Sequence, residues 1–174
     1  MFESKEICEV VAADETKLVN RIVRASLFEL GVGGGASQMA MFTSLRFRIK
    51  EVKGNDAYTT LIGHEISSSF IRTFARRGKS LIHQVVDDKT KDNEQLRLKV
   101  IAVTGARVSE NTKRNLRNLL VEECKRAIVE KTFDEGIQDV IYGRLSSRIF
   151  NRLKMITKMK RVEVRKSERG EQFK

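Results

Sequence analysis

The sequence contains no proline and no tryptophan, and only two cysteines, two histidines and two tyrosines. Each scarcity closes a class of explanation. Cys8 and Cys124 lie far apart and neither belongs to a Cys-x-x-Cys, so a disulfide scaffold or a zinc knuckle is not expected. Cys124 falls on a helical pattern and reads as a small core residue. No run of 18 apolar residues occurs, so no membrane-spanning helix is expected. The opening MFESKEICEV has no basic region followed by an apolar stretch, so no signal peptide is expected and the cytoplasm is the expected compartment. With Tyr58 and Tyr142 as the only tyrosines, there is little to stack on single-stranded bases.

Cationic charge is what the chain has in excess. Among 174 residues, 34 Lys and Arg face 23 Asp and Glu, a net charge of +11. Such a balance points to a polyanionic partner, nucleic acid before an anionic membrane surface. The length suits one domain, expected over 1–174 with an ordered core at 6–167 and a mobile basic tail at 168–174.

Periodicity organises the chain as follows. Residues 6–12 and 21–30 read as strands, separated by a short turn or helix that Asp14 would cap. The glycine-rich stretch GVGGG (31–35) reads as a flexible loop. Over 38–52, Met39, Met41, Leu45, Phe47 and Ile49 alternate with Gln38, Ser44, Arg46, Arg48 and Lys50, which predicts a strand with one apolar and one cationic face. KGND (53–56) predicts a turn and 57–65 the returning strand. Residues 67–78 predict a helix with Phe70, Ile71, Phe74 and Ala75 inward, capped by Ser67 or Ser68 and ended by Gly78. Strands follow at 80–88 and 95–105. In the second, Leu96, Leu98 and Val100 alternate with Arg97 and Lys99.

A long helix is predicted at 110–131 behind the cap Ser109. Its inner line is Leu116, Leu119, Leu120, Ala127 and Ile128, with Glu123 the exception. Asp134 would cap a short helix carrying Ile137, Val140 and Ile141. After Gly143 a further helix buries Leu145, Ile149, Phe150 and Leu153, with Arg144, Arg148 and Arg152 in one stripe. A charged strand is predicted at 160–166. The order of elements predicts an α+β fold: a mostly antiparallel sheet or partly closed barrel with one embedded short helix, then C-terminal helices and a final strand.

Several motifs fail on inspection. Gly78-Lys79-Ser80 looks like the end of a phosphate-binding P-loop, but the earlier glycine position is Thr73, and a helix precedes where a strand is required. His64-Glu65 lacks the second histidine of a zinc-protease motif. Asp87, Asp88, Asp92 and Glu94 are interleaved with Lys89, Lys91 and Asn93, as at a solvated hairpin tip. The glycine loop lacks dinucleotide-binding spacing. No catalytic residue, metal site or cofactor is expected.

The basic clusters survive: Arg46 and Arg48 with Lys50; Arg72, Arg76, Arg77 and Lys79; and Lys113, Arg114 and Arg117. Residues 144–174 add eleven Lys or Arg against three Glu. Arginine suits bidentate contact with phosphate, so backbone and shape recognition of folded RNA is the expected mode.

The stretch 57–104 resembles a specific family. Tyr58, Gly63, His64, Glu65, Arg76, Arg77, Gly78, Ser80, Asp87, Thr90, Lys91, Asp92, Leu96 and Arg97 follow the pattern of the small-subunit ribosomal proteins of archaea and eukaryotes called eS-one, or S-three-A-e. LVNRIVRASLFEL and the closing RVEVRK (161–166) extend the likeness over most of residues 6–167. Where the family usually carries Tyr-Pro before that closing strand, this chain reads MITKMK. The resemblance implies a structural, non-enzymatic protein of the ribosome. It would sit on the small-subunit platform near the rRNA 3′ end and the mRNA exit, bound to small-subunit rRNA and neighbouring ribosomal proteins. An RNA-processing or free RNA-binding protein outside the ribosome is the alternative. The candidate rRNA-binding set is Arg46, Arg48, Arg72, Arg76, Arg77, Lys79, Ser80, Arg97, Arg107, Lys113, Arg114, Arg117, Arg161, Arg165 and Lys166.

Overall fold

A computed structural model of the chain describes residues 6–14, 17–31 and 38–170. The fold is α+β with antiparallel strands, and it divides into two compact units, residues 1–65 and 66–174. In neither unit does a strand array close on itself.

In the first unit, β1 (Ile22–Ser26) pairs antiparallel with β2 (Thr43–Lys53), Ile22 facing Arg48 and Ser26 facing Ser44. A two-residue turn at Gly54 and Asn55 returns the chain as β3 (Asp56–Ile66). Gly54 takes φ +60 there, the left-handed value that glycine adopts without a Cβ penalty. The alternation of β2 is as expected: Thr43, Leu45, Phe47 and Ile49 are buried, while Arg46 and Arg48 are half-buried on the other face. Its first part is not strand. Gln38–Phe42 form a short helix, α1, so Met39 and Met41 sit on a helical turn and Met41 is exposed. The Thr43 hydroxyl donates to the Met39 carbonyl at 2.7 Å and closes that turn just before the strand begins. Residues 6–12 form no strand either; β-branched composition makes a strand only where a partner edge pairs with it. Lys17 N–H donates to the Asp14 carbonyl in a turn at 3.2 Å, but residues 15 and 16 of the expected cap, and 32–35 of the glycine loop, lie outside the described residues.

In the second unit, β5 (Gln95–Thr104) lies between β4 (Leu81–Lys89) and β6 (Met159–Arg169), antiparallel to both. Its even positions Leu96, Leu98, Val100 and Ala102 are buried. Leu96 and Leu98 share an apolar niche with Ala127, Ile128 and Leu145 of the helices. On the opposite face, Ile101 and Val103 pack with Phe70, Ile71, Phe74 and Leu81. Two-sided cover explains why residues 100–103 are continuously apolar while 95–99 alternate. Each such side chain, taken from water, contributes about 1.5–3 kcal/mol.

The helices are α2 (Ser68–Arg72), α3 (Glu110–Val129), α4 (Phe133–Ile141) and α5 (Arg144–Leu153). The Ser109 hydroxyl accepts from Thr112 N–H and caps α3. The cap of α4 is Thr132, not Asp134: Thr132 and Glu135 form a reciprocal capping box, and Asp134 sits in the first turn. The helix expected over 67–78 stops at Arg72. The Thr73 hydroxyl donates to the Phe70 carbonyl at 2.6 Å and the chain then leaves the helical path.

Two irregularities shape β6. Lys99 faces Lys166 and Val100 faces Val164, leaving Arg165 as an extra residue; Val103 faces Arg161 and Thr104 faces Met159, leaving Lys160 as another. Burial in β6 accordingly runs Met159, then Val162 and Val164, then Ser167, a step of three residues in place of two at each irregularity. A β-bulge shifts the alternation by one residue and re-aims the side chain it inserts. Both inserted side chains are cations. The strand continues to Arg169, with Glu168 facing Arg97, so the first residues expected in a mobile tail are paired in the sheet; residues 171–174 lie outside the described residues.

Candidate nucleic-acid interface

The fifteen candidate positions separate by whether the fold supplies each cation with a carboxylate. On β5, Arg97 makes a two-pronged ion pair with its cross-strand neighbour Asp87, at 2.7 Å for each nitrogen. The Arg97 guanidinium holds the Asp87 carboxyl below its usual range. Lys99 and Lys166 both bond Glu168. Burial alone would push the Glu168 carboxyl up, but hydrogen bonds from Lys166 and Lys99, and their charges, outweigh it and bring its pKa down to about 2. Arg161 pairs with Glu163 at 3.2 Å and lies over the rings of Phe70 and Phe74, with its guanidinium carbon 5.4 and 4.8 Å from their centroids. That cation–π contact ties α2 to β6. Arg97, Lys99, Arg161 and Lys166 of β5 and β6 thus each have a carboxylate partner within the sheet.

The helical stripe is neutralised in the same way. Glu123, the exception in the apolar line of α3, is buried and receives Arg152 at 3.0 Å and Arg126 at 3.3 Å, with Arg148 at 3.8 Å. Arg148 also reaches Glu130. A buried carboxylate is tolerated only when paired and hydrogen-bonded, and the arginines of α5 meet that demand. Lys113 pairs with Glu110 on α3.

A second group of cations is left over. Among the described residues, Arg72, Arg76, Arg77, Lys79, Arg114 and Arg165 make no ion pair. Arg107 and Arg117 lie near enough to Glu110 to help Lys113 hold its carboxyl below the usual range. The first turns of α3 carry Lys113, Arg114 and Arg117. Arg165, aimed outward by its bulge, stands beside His83, whose imidazole is pushed down by burial and then by that charge.

Arg76, Arg77 and Lys79 occupy a tight turn. Lys79 N–H donates to the Arg76 carbonyl at 3.3 Å, and Gly78 takes φ +76 with open space around its α-carbon. Glycine is thus required there for its left-handed conformation and not for room. The turn displaces the expectation that these arginines end a helix. Ser80 follows it and is buried. Its N–H donates to the Thr104 hydroxyl (2.9 Å), its carbonyl accepts from Thr104 N–H (3.0 Å), and its own hydroxyl accepts from Val108 N–H (3.2 Å). Ser80 is a fastener between the turn, the end of β5 and the segment leading to α3.

One cation in this region was not among the candidates. The Lys79 ammonium lies within hydrogen-bonding reach of Lys160, and that contact, then burial, then the charges of Lys160 and Arg76, lower its pKa. A sign was available in the sequence, since Lys160 opens the closing basic strand, but the bulge that turns it toward Lys79 was not.

The sequence matches the Ribosomal S3Ae family over residues 1–171. The chain belongs to that family. Among curated relatives, small ribosomal subunit protein eS1 of Methanobrevibacter smithii is 36% identical over 95% of this chain and 84% of its own length. Proteins of the same name from Methanothermobacter thermautotrophicus (32% identical, 96% of this chain and 84% of theirs) and Sulfurisphaera tokodaii (34%, 90% and 79%) are similarly related. No helix among the described residues is long and apolar enough to cross a membrane, and no described group of His, Cys, Asp and Glu is assembled to hold a metal.

Proposed function

We propose that this chain is a structural constituent of the small ribosomal subunit, in the cytoplasm, and that it binds rRNA through its backbone phosphates. The observation that carries the reading is the set of cations without an ion pair, Arg76, Arg77 and Lys79 of the turn with Arg72 and Arg114, in a chain of the S3Ae family. A protein that only needed solubility could have paired them, as it pairs Arg97, Arg148 and Arg152. Left unpaired, they supply phosphate contacts and a steeply salt-dependent affinity. The protein acts by scaffolding and not by catalysis. Its place is the subunit platform near the rRNA 3′ end and the mRNA exit, with neighbouring ribosomal proteins as further partners. Of the candidate set, Arg72, Arg76, Arg77, Lys79, Arg107, Arg114, Arg117 and Arg165 form the contact surface of the second unit, and Arg46 and Arg48 are separate candidate contacts of the first.

The test is sedimentation of native lysate through a gradient at high salt. Stoichiometric comigration with the small subunit is expected. Accumulation at the top of the gradient, with RNA binding by the pure protein intact, would replace this reading with that of an RNA-binding protein outside the ribosome.

A further inference from the structure

Deepening the RNA-binding reading on which it rests, we infer that the turn at 76–79 and the first bulge of β6 form a discrete seat for one phosphate of the RNA backbone, held jointly by Lys79, Lys160 and Arg76.

Three independent features converge on this seat. The first is a cleft of about 270 Å³ lined by Phe74, Ala75, Arg76, Lys79, Ser80 and Leu81, with Val103 at its base. The second is the bulge. Val103 faces Arg161 and Thr104 faces Met159, so Lys160 is the inserted residue. Thr104 also bonds Ser80 on the other side of β5. Lys160 is thereby brought within hydrogen-bonding reach of Lys79. The third is the absence of compensation: among the described residues neither Lys79 nor Lys160 has a carboxylate partner, although the adjacent Arg161 has Glu163.

Two ammonium groups placed together repel one another. Free lysines relieve that repulsion by swinging apart; here the register sets Lys160 across β5 from the end of the turn that carries Lys79. An anion between them converts the repulsion into two charge-assisted hydrogen bonds. Arg76, opening the same turn, adds a planar fork suited to a tetrahedral oxyanion. Ser80, though beside the cleft, is committed to Val108 and Thr104, so the seat recognises charge and leaves base identity unread. A free phosphate ion would offer the same oxygens; the RNA backbone is assigned because Arg77, in the same turn and without an ion pair, can continue the contact along a strand.

The experiment has two arms, both on the full chain. In the first, binding to a small-subunit rRNA transcript is measured against KCl for the wild type, Lys79→Gln, Lys160→Gln and the double variant. If both lysines hold one phosphate, each single variant loses several-fold in affinity and about 0.7–0.9 from the log–log salt slope. The double variant then loses little more than either single, because their effects are coupled. Multiplying losses, or no loss, would overturn the shared seat. In the second arm, inorganic phosphate is titrated without RNA at fixed ionic strength, following the melting temperature. A rise for the wild type and none for Lys160→Gln is expected, and matching melts without phosphate show that the variants fold. Phosphate stabilisation with unchanged RNA binding of the variants would assign the seat to a free anion and overturn the RNA assignment. Should the wild type itself fail to bind rRNA, the proposed function falls, while the phosphate arm still reads the seat.

Discussion

Two cationic surfaces of the second unit look alike in sequence and behave differently in the fold. Along β5 and β6, Arg97, Lys99, Arg161 and Lys166 each meet a carboxylate of the same sheet. At the end of the sheet, around the turn at 76–79 and Lys160, cations meet other cations. The difference teaches that arginine and lysine counts locate a basic protein but not its contact surface. Strand register decides which charges are spent inside the fold: Arg97 meets Asp87 directly opposite, Lys99 reaches Glu168 diagonally, and Arg161 and Lys166 meet carboxylates two places along their own strand.

The comparison can be broken most severely in the helices, where pairing is structural. Glu123→Gln keeps the shape of the side chain but removes the charge that gathers Arg126, Arg148 and Arg152. A loss of about 2 kcal/mol in denaturant-unfolding stability is expected, with RNA affinity of the folded protein unchanged. The opposite outcome is expected at the turn. Arg76→Ala combined with Arg77→Ala leaves the melting temperature where it was and flattens the log–log salt dependence of RNA binding by about one to two units. An unchanged slope would remove both arginines from the interface.

Smaller effects sharpen the same contrast. The Glu168 carboxyl is depressed from 4.5 to about 2 in the folded chain. A depressed carboxyl contributes stability at pH values above 4.5 and loses it as pH falls toward 2. Glu168→Gln should therefore cost about 1 kcal/mol at neutral pH, after allowance for solvent screening, and should lose less stability than the wild type across that acid window. Smallest of all, Asp87→Asn releases Arg97 from its ion pair. Stability should hardly change, since the pair is exposed, while RNA binding should become slightly more salt-dependent if a freed cation on this face can reach phosphate. No change in slope would mean that the sheet face lies outside the interface altogether.

Much of this was legible in the residues. The alternation of Leu45, Phe47 and Ile49 located β2, and the spacing of Leu116, Leu120 and Ala127 located α3, because burial on one face imposes its period directly on the sequence. Thr132-x-x-Glu135 was equally readable as a capping box; the competing Asp134 obscured it. Other features required pairing. Residues 6–12 carry strand-like composition without becoming a strand. Phe74 and Ala75 continue a helical spacing past the point where Thr73 bonds back to Phe70 and the helix has ended. The pairing of Arg97 depends on Asp87 lying opposite, ten residues away in the chain. The seat at Lys160 depends on a bulge, and an inserted residue in a charged strand has no signature of its own: Lys160-Arg161 and Arg165-Lys166 read as ordinary basic pairs.

The fastening of Ser80 to Thr104 and Val108 bears on the order of events when partners meet. Because that network is complete within the chain, the turn, the end of β5 and the approach to α3 keep their arrangement before any RNA arrives. An encounter then requires orientation but no local folding step, so its rate is set by diffusion and electrostatic steering, and falls as salt rises. During assembly of a large particle, such a surface can capture its site early, leaving slower rearrangements to the RNA.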